Sequence, residues 1–253
     1  MEPQIGQIVL CAFPSQLFDF LVCDGSEQSS GTYEGLSTIL NTYTDNYLAF
    51  LLPNLTLPSP LSESSGSWQI CAIGAYPPYN ANSALVGELD LFATGPATYG
   101  GTNYYPCNGS ILDTPPNPGL YAVIGDQFGG NNNAFSLPTL AAPQGTNLPT
   151  GLAYGICASG LWPPGPALAS TIGTLQLLPT LASGSGTTWP ASYVPCNGQA
   201  LAIADYLALY SVIGTTFGGG SGTFNVPSVA APAHMFWAIV ANGVMPSFQN
   251  EPT

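Results

Sequence analysis

The chain has no lysine and no arginine. Soluble proteins are about a quarter charged, so roughly thirty cations would be ordinary at this length. Without them nothing can clamp phosphates or release counterions, which excludes nucleic acid as a partner. A polybasic contact with an anionic membrane surface is excluded for the same reason, and every trypsin-type cleavage site is gone. Long apolar runs are missing too. The stretch at 236–241 falls far short of the roughly 20 residues a spanning helix needs, so membrane insertion is not expected. Met1-Glu2-Pro3-Gln4 shows neither the basic region nor the long apolar core of a signal peptide, so any export route is not written in these residues.

Chemistry-bearing clusters are equally scarce. The six cysteines include no Cys-x-x-Cys pair, which argues against zinc. The single histidine, His234, reads as structural, and no Gly-x-Ser-x-Gly elbow is present to pair with it. Glycoside hydrolysis needs two facing carboxylates, and Asp19, Asp24 and Glu27, and likewise Glu88 and Asp90, are close in sequence. In a chain of 13 acids and no cations they read instead as its only solubilising charges. Asn131-Asn132-Asn133 offers oxygen ligands in a turn, but no Asp-rich calcium loop occurs. Asn54-Leu55-Thr56 and Asn108-Gly109-Ser110 fit a glycosylation pattern and read as chance. No catalytic residue, cofactor or metal is expected.

What remains is a chain that is 5% charged and 45% hydrophobic, with Tyr 13, Phe 11 and Trp 4. That is too apolar and aromatic for disorder. Its exterior must be largely uncharged, which suits burial between subunits better than life as a dilute monomer. A durable assembled object outside the cell is the expectation.

A threefold internal repeat organises the chain. Each copy opens on an aliphatic-Gly-polar-aliphatic strand: Ile5-Gly6-Gln7-Ile8, Val86-Gly87-Glu88-Leu89 and Ile172-Gly173-Thr174-Leu175. A tight turn follows at Cys23-Asp24-Gly25, Cys107-Asn108-Gly109 and Cys196-Asn197-Gly198, where Asx-Gly tolerates positive φ. A short helix is predicted next. In the third copy Tyr206, Leu209, Tyr210 and Ile213 form its apolar stripe, with Asp205 near its start. It should end in a left-handed residue at Gly214, matched by Gly125 and Asn41. Phe50, Phe135 and Phe224 each precede a Leu/Val-Pro pair, and a buried closing strand ends the unit at 68–74, 154–160 and 237–243. A proline follows each, at Pro77, Pro163 and Pro246. The fold class expected is mainly β (α+β in detail): three tandem domains, 1–80, 81–165 and 166–253, each with one short helix. Their boundaries fall in the stretches 77–84 and 163–170. Units of roughly 80 residues have marginal cores alone, so packing against one another or against other subunits is expected.

Gly87-Glu88-Leu89, Cys107-Asn108-Gly109, residues 120–130 and residues 135–140, with Val212-Ile213-Gly214-Thr215-Thr216-Phe217-Gly218-Gly219 in the third copy, resemble the phage tail collar domain. The same domain occurs in microcystin-dependent-protein-like sequences. The first copy is the most diverged, with Thr44-Asp45 where the others have Gly-Gly. The basic run and histidine-containing loop common in that family are missing, and Pro232-Ala233-His234 lacks a second histidine, so no His-x-His metal site is supported. The resemblance implies an extracellular or virion-surface fibre component, commonly trimeric. Three copies in one chain would form either a pseudo-threefold version of that trimer or a linear row.

Two readings of the cysteines stand. Disulfides Cys23–Cys71, Cys107–Cys157 and Cys11–Cys196 would complete an even count, or the turn cysteines are small buried apolar residues that stay reduced. The function expected is a subunit of an extracellular filament whose partner is itself. Assembly would run through uncharged surfaces and through the strand edges at 5–12 and 237–243, with Ile5, Ile8, Leu10, Trp237, Ile239 and Val240 as interface candidates. Since the acids repel at neutral pH, assembly should be easier in acid. The rival is a receptor- or glycan-binding module of a phage tail fibre, stacking sugars on the aromatic loops at 76–79 and 99–105. A polysaccharide hydrolase is the weakest alternative.

Overall fold

A computed structural model describes residues 3–44, 47–77, 84–95, 103–163 and 170–249. The first unit contains β1 (Gln7–Cys11), β2 (Phe20–Val22), β3 (Glu27–Ser29), α1 (Glu34–Leu40), β4 (Ala49–Leu51), β5 (Asn54–Leu55) and β6 (Ser67–Cys71). In the second are β7 (Leu89–Phe92), β8 (Tyr104–Pro106), β9 (Ile111–Asp113), α2 (Pro118–Ile124), β10 (Ala134–Ser136), β11 (Gly145–Thr146) and β12 (Ala153–Cys157). The third has β13 (Thr174–Pro179), β14 (Tyr193–Pro195), β15 (Ala200–Ala202), α3 (Leu207–Ile213), β16 (Gly219–Gly220), β17 (Thr223–Asn225) and β18 (Met235–Val240). The protein is mainly β with three short helices.

The same antiparallel plan recurs in each unit. The closing strand lies between the opening strand and the second strand, in the orders β1-β6-β2, β7-β12-β8 and β13-β18-β14. Register repeats as well: Leu10 faces Trp68, Leu91 faces Tyr154, and Leu177 faces Trp237. The helix spans a small hairpin, β3/β4, β9/β10 or β15/β17. On that hairpin Phe50, Phe135 and Phe224 are fully buried, each in a core with Leu36, Leu120 and Leu209 of the helices. Burying one such side chain stabilises by roughly 1.5–3 kcal/mol.

The predicted Asx turns form as read. Asp24, Asn108 and Asn197 accept from the backbone N–H two residues on, at 2.9, 3.0 and 3.1 Å. The helix ends need refinement. Asn41 is left-handed, but Gly125 and Gly214 combine φ near +57° with ψ near −140°, a region essentially reserved for glycine. Tyr206 is the N-cap of α3 and makes no side-chain cap bond; Asp205 does not cap the helix. The glycine after each closing strand, at 74, 160 and 243, lies so close to the start of its unit that a Cβ would stand 2.1–2.2 Å from the carbonyl oxygen of Pro3, Ala84 or Ser170.

The units are not separate globules. Their opening strands pair with one another in a closed triangle of identical register: Ile8 faces Leu91, Leu89 faces Leu177, and Leu175 faces Leu10. The start of each strand lies on the end of the next. This is the pseudo-threefold arrangement, not a row, and one core cluster runs through all three units. The boundary segments expected at 77–84 and 163–170 lie largely outside the described residues.

Candidate functional site: the pseudo-threefold axis and the perimeter

Strand alternation assigns the two faces of the triangle different chemistry. On one face Ile8, Leu10, Leu89, Leu91, Leu175 and Leu177 are buried together. Trp68, Tyr154 and Trp237, one from each closing strand, close over them, and the two tryptophan rings meet edge-on at 6.5 Å. A small cavity of about 40 Å³ remains among these side chains. The side chains named on this face are aliphatic or aromatic and none is charged, so it acts as a bolt joining three units.

The opposite face is polar and unsymmetrical. Val9, Asp90 and Gln176 occupy equivalent positions there. Tyr104 donates to Asp90 Oδ2 at 2.5 Å, Gln7 donates to Oδ1 at 3.5 Å, and Gln176 lies in hydrogen-bonding reach. Two residues back, Glu88 is buried; Oε2 accepts from the Leu85 N–H at 2.8 Å and Oε1 from the Tyr193 hydroxyl at 3.0 Å. Desolvation, with the Asp90 charge adding to it, pushes the Glu88 carboxyl up to about 8. Burial raises Asp90 as well, against its hydrogen bonds. Glu88 and Asp90 are therefore not solubilising surface charges, as their sequence context suggested. The sequence signal for this is position: Glu88 immediately precedes β7 and Asp90 lies within it, in the opening segment that the repeat marks as core.

The interface candidates are also placed differently from expectation. Ile5, Ile8, Leu10, Trp237, Ile239 and Val240 are all buried inside this chain. β1 is flanked by β6, β7 and β13, and β18 by β13 and β14, so neither is a free edge. The reason is the triangle, which consumes the strands that a single isolated unit would expose. Within the nine-stranded sheet the strands with one neighbour are β2, β8 and β14. These are three residues long, and β8 and β14 end in Pro106 and Pro195. Short strands ending in proline are poor templates for edge pairing.

All six cysteines are buried, and none is joined to another. The registers explain why the three expected pairs do not meet. Cys71 faces Phe20 and Cys157 faces Tyr104, each three residues along the strand from Cys23 and Cys107. Three residues of strand span about 10 Å, beyond the roughly 7 Å that a disulfide bridges. Cys11 lies on β1, while Cys196 follows β14 on the far side of β13 and β18. Burial pushes the thiols of Cys11, Cys23, Cys107, Cys157 and Cys196 well above their ordinary range, which suppresses the reactive thiolate.

His234 is exposed, at φ +61°, with its ring edge-on to Phe128 at 6.0 Å. It borders an open groove of about 610 Å³ between α2 and residues 180–185, together with Asp126 and Gln127. No cluster of three metal-ligating side chains occurs among the described residues. No helix among them is long and apolar enough to cross a membrane. Tyr79 and Tyr99, at the ends of the aromatic loops, lie outside the described residues. Tyr76 and its equivalents Trp162 and Met245 are about half exposed.

One perimeter feature had no sequence signal. Past the closing strand of the third unit, the chain returns to the first. Leu17 and Phe248 form an antiparallel bridge, the Phe18 N–H donates to the Ser247 carbonyl at 2.8 Å, and the Gln249 N–H donates to the Gln16 carbonyl at 3.1 Å. The Phe248 ring stands edge-on to Phe13 at 5.4 Å, over a buried cluster of Cys11, Phe13 and Leu17.

Comparison with known proteins fits this geometry in two of the three units. Residues 87–142 and 180–231 match the family profile of the phage tail collar domain, together short of half the chain. No curated protein and no solved structure matches the chain. The second and third units thus each carry a phage tail collar domain match, and that family points to a structural role in a phage tail fibre or a related virion-associated or extracellular object.

Proposed function

We propose that the chain is a non-catalytic structural subunit of an extracellular filament, built as a single-chain pseudo-trimer of collar-like units, the first being a diverged third copy. The observation that carries this reading is the closed triangle of opening strands. It reproduces within one chain the threefold contact that separate subunits would otherwise make. The perimeter is then free for assembly. Phe18, Tyr47, Leu48, Ile73, Ile111 and Leu207 stand more than half exposed, in a chain that is only 5% charged. Single exposed apolar residues are ordinary. So many on a surface this poor in charge favour burial against further copies.

A second reading keeps the pseudo-trimer as a receptor- or glycan-binding module of a phage tail fibre. The half-exposed Tyr76 and Trp162, at equivalent positions in two units, favour it, because aromatic faces stack on sugar rings. Negative-stain electron microscopy of native material separates the two. Long uniform filaments support the polymer. Discrete particles of one chain, or of a few, that bind glycans would replace it with the second reading.

A further inference from the structure

The junctions between the three units are not alike. Units one and two, and units two and three, are joined by continuous chain. The junction between unit three and unit one has no such continuous link, and an arm at 247–249 straps it. That arm leaves the body at Val244, whose N–H donates to the Ser170 carbonyl at 3.0 Å. Only Met245 and Pro246 separate this anchor from the strapped residues. The seat consists of backbone groups at Gln16 and Phe18 and an apolar hollow formed by Phe13, Leu17 and Val212.

From this geometry we propose that the arm is exchanged between copies: in the polymer, residues 247–249 of one chain pair with residues 16–18 of the next. The inference rests on the polymer reading above and supplies its connector. Three observations lead to it. First, β1 and β18 are interior, and the outer strands of the nine-stranded sheet are only three residues long, two of them ending in proline, so ordinary edge-to-edge addition has little to build on. Second, the arm lies outside the triangle and is held to its seat by a single bridge with two backbone hydrogen bonds, few enough to open without unfolding the core. Third, the seat makes the same contacts with its own arm and with a neighbour's, so exchange costs no interaction. What separates the two states is effective concentration, which is high in cis for a free chain and shifts toward trans once neighbours are held side by side. The two-residue hinge is short, and short hinges favour swapping over closure.

Gln16 and Gln249 stand opposite each other across the bridge, with their side chains hydrogen-bonded. Directly opposed antiparallel residues are close enough for a disulfide, so the full-length double variant Gln16→Cys with Gln249→Cys reports the partner of the arm. It is assembled reduced, oxidised, dissolved in denaturant without reductant and run on a gel. Exchange predicts a ladder of covalent oligomers holding more than half of the chains. Filaments whose cross-links are all intramolecular would overturn the exchange and leave the polymer reading intact. Failure to form filaments, with monomeric cross-links only, would remove both. A chain ending at Met245 checks the same point without new cysteines. Retained far-UV circular dichroism with at least a tenfold slower assembly is expected, and an unchanged assembly rate would overturn the proposal.

Discussion

Glu88 should make this protein lose stability as pH rises through neutrality. Its carboxyl is buried among Leu85, Tyr193 and Asp90, and no cation exists anywhere in the chain to neutralise it. Its folded-state value is raised to about 8 from 4.5. A carboxyl raised in this way holds its proton longer in the folded state than in the unfolded chain. Its contribution is thus fully present below about pH 4.5, falls as pH rises between 4.5 and 8, and is gone above 8. At 1.36 kcal/mol per unit, the whole swing is at most about 5 kcal/mol, with a slope no steeper than about 1.4 kcal/mol per pH unit. The thirteen acids add a general repulsive slope of their own, and Asp90, also raised, adds another, so wild type alone does not isolate the effect. Glu88→Gln does. The amide cannot ionise, but it turns an N–H₂ toward one of the two donors that Glu88 accepts from, at a cost of about 1–2 kcal/mol. Urea unfolding from pH 4.5 to 8.5 should show the variant less stable than wild type in acid and more stable at alkaline pH, with the two curves crossing between. Parallel curves at every pH would refute the assignment of Glu88 as a protonated buried acid at neutrality.

Further expectations concern packing and the thiols. Phe50→Ala, Phe135→Ala and Phe224→Ala should each cost about 3–5 kcal/mol, in a single urea transition, because the three units share one core. A separate early transition in any one variant would show the units to be independent. Gly160→Ala drives a Cβ to 2.2 Å from the Ala84 carbonyl oxygen and should lower stability by more than about 3 kcal/mol. Gly184→Ala meets nothing within 4 Å, though its φ of +78° should still cost about 1 kcal/mol. The native protein at pH 8 should leave a thiol reagent essentially unconsumed, and unfolding without reductant should release six reactive thiols. Fewer than six would reveal a bond.

The sequence made the repeat legible because each element carries a local physical mark. The Asx-Gly turns, the helix-terminal Gly125 and Gly214, the buried Phe-x-Leu/Val-Pro hairpins and the apolar closing strands all formed where their residues indicated. Which strands would pair across units was not legible. Alternation in Ile8-Val9-Leu10 says that one face is buried, and an internal neighbour and another copy of the chain bury it equally well. The interface candidates on β1 and β18 were misplaced for that reason. Glu88 and Asp90 were misread because a carboxylate is assigned to solvent unless a partner is visible, and theirs, Tyr193, Tyr104 and Gln7, lie 105, 14 and 83 residues away. The strap at Ser247 to Gln249 has neither periodicity nor length; only its seat in the first unit gives it meaning.

The polar face of the triangle also bears on why three unequal copies share one chain. In a trimer of identical subunits, any residue near the axis appears three times. A unit like the second would then bring three Asp90 and three Glu88 side chains to one buried region, and like carboxylates so placed resist ionising together. One chain with three different copies avoids this. Val9, Asp90 and Gln176 take the three equivalent positions, so one acid meets one amide and one aliphatic group, and Gln7 and Tyr104 complete the donor set. The test is to restore the symmetry. Val9→Asp with Gln176→Asp should destabilise the protein strongly at pH 8 and much less at pH 4, where protonated carboxyls can share the site. Equal destabilisation at both values would mean that the asymmetry serves packing volume, not charge.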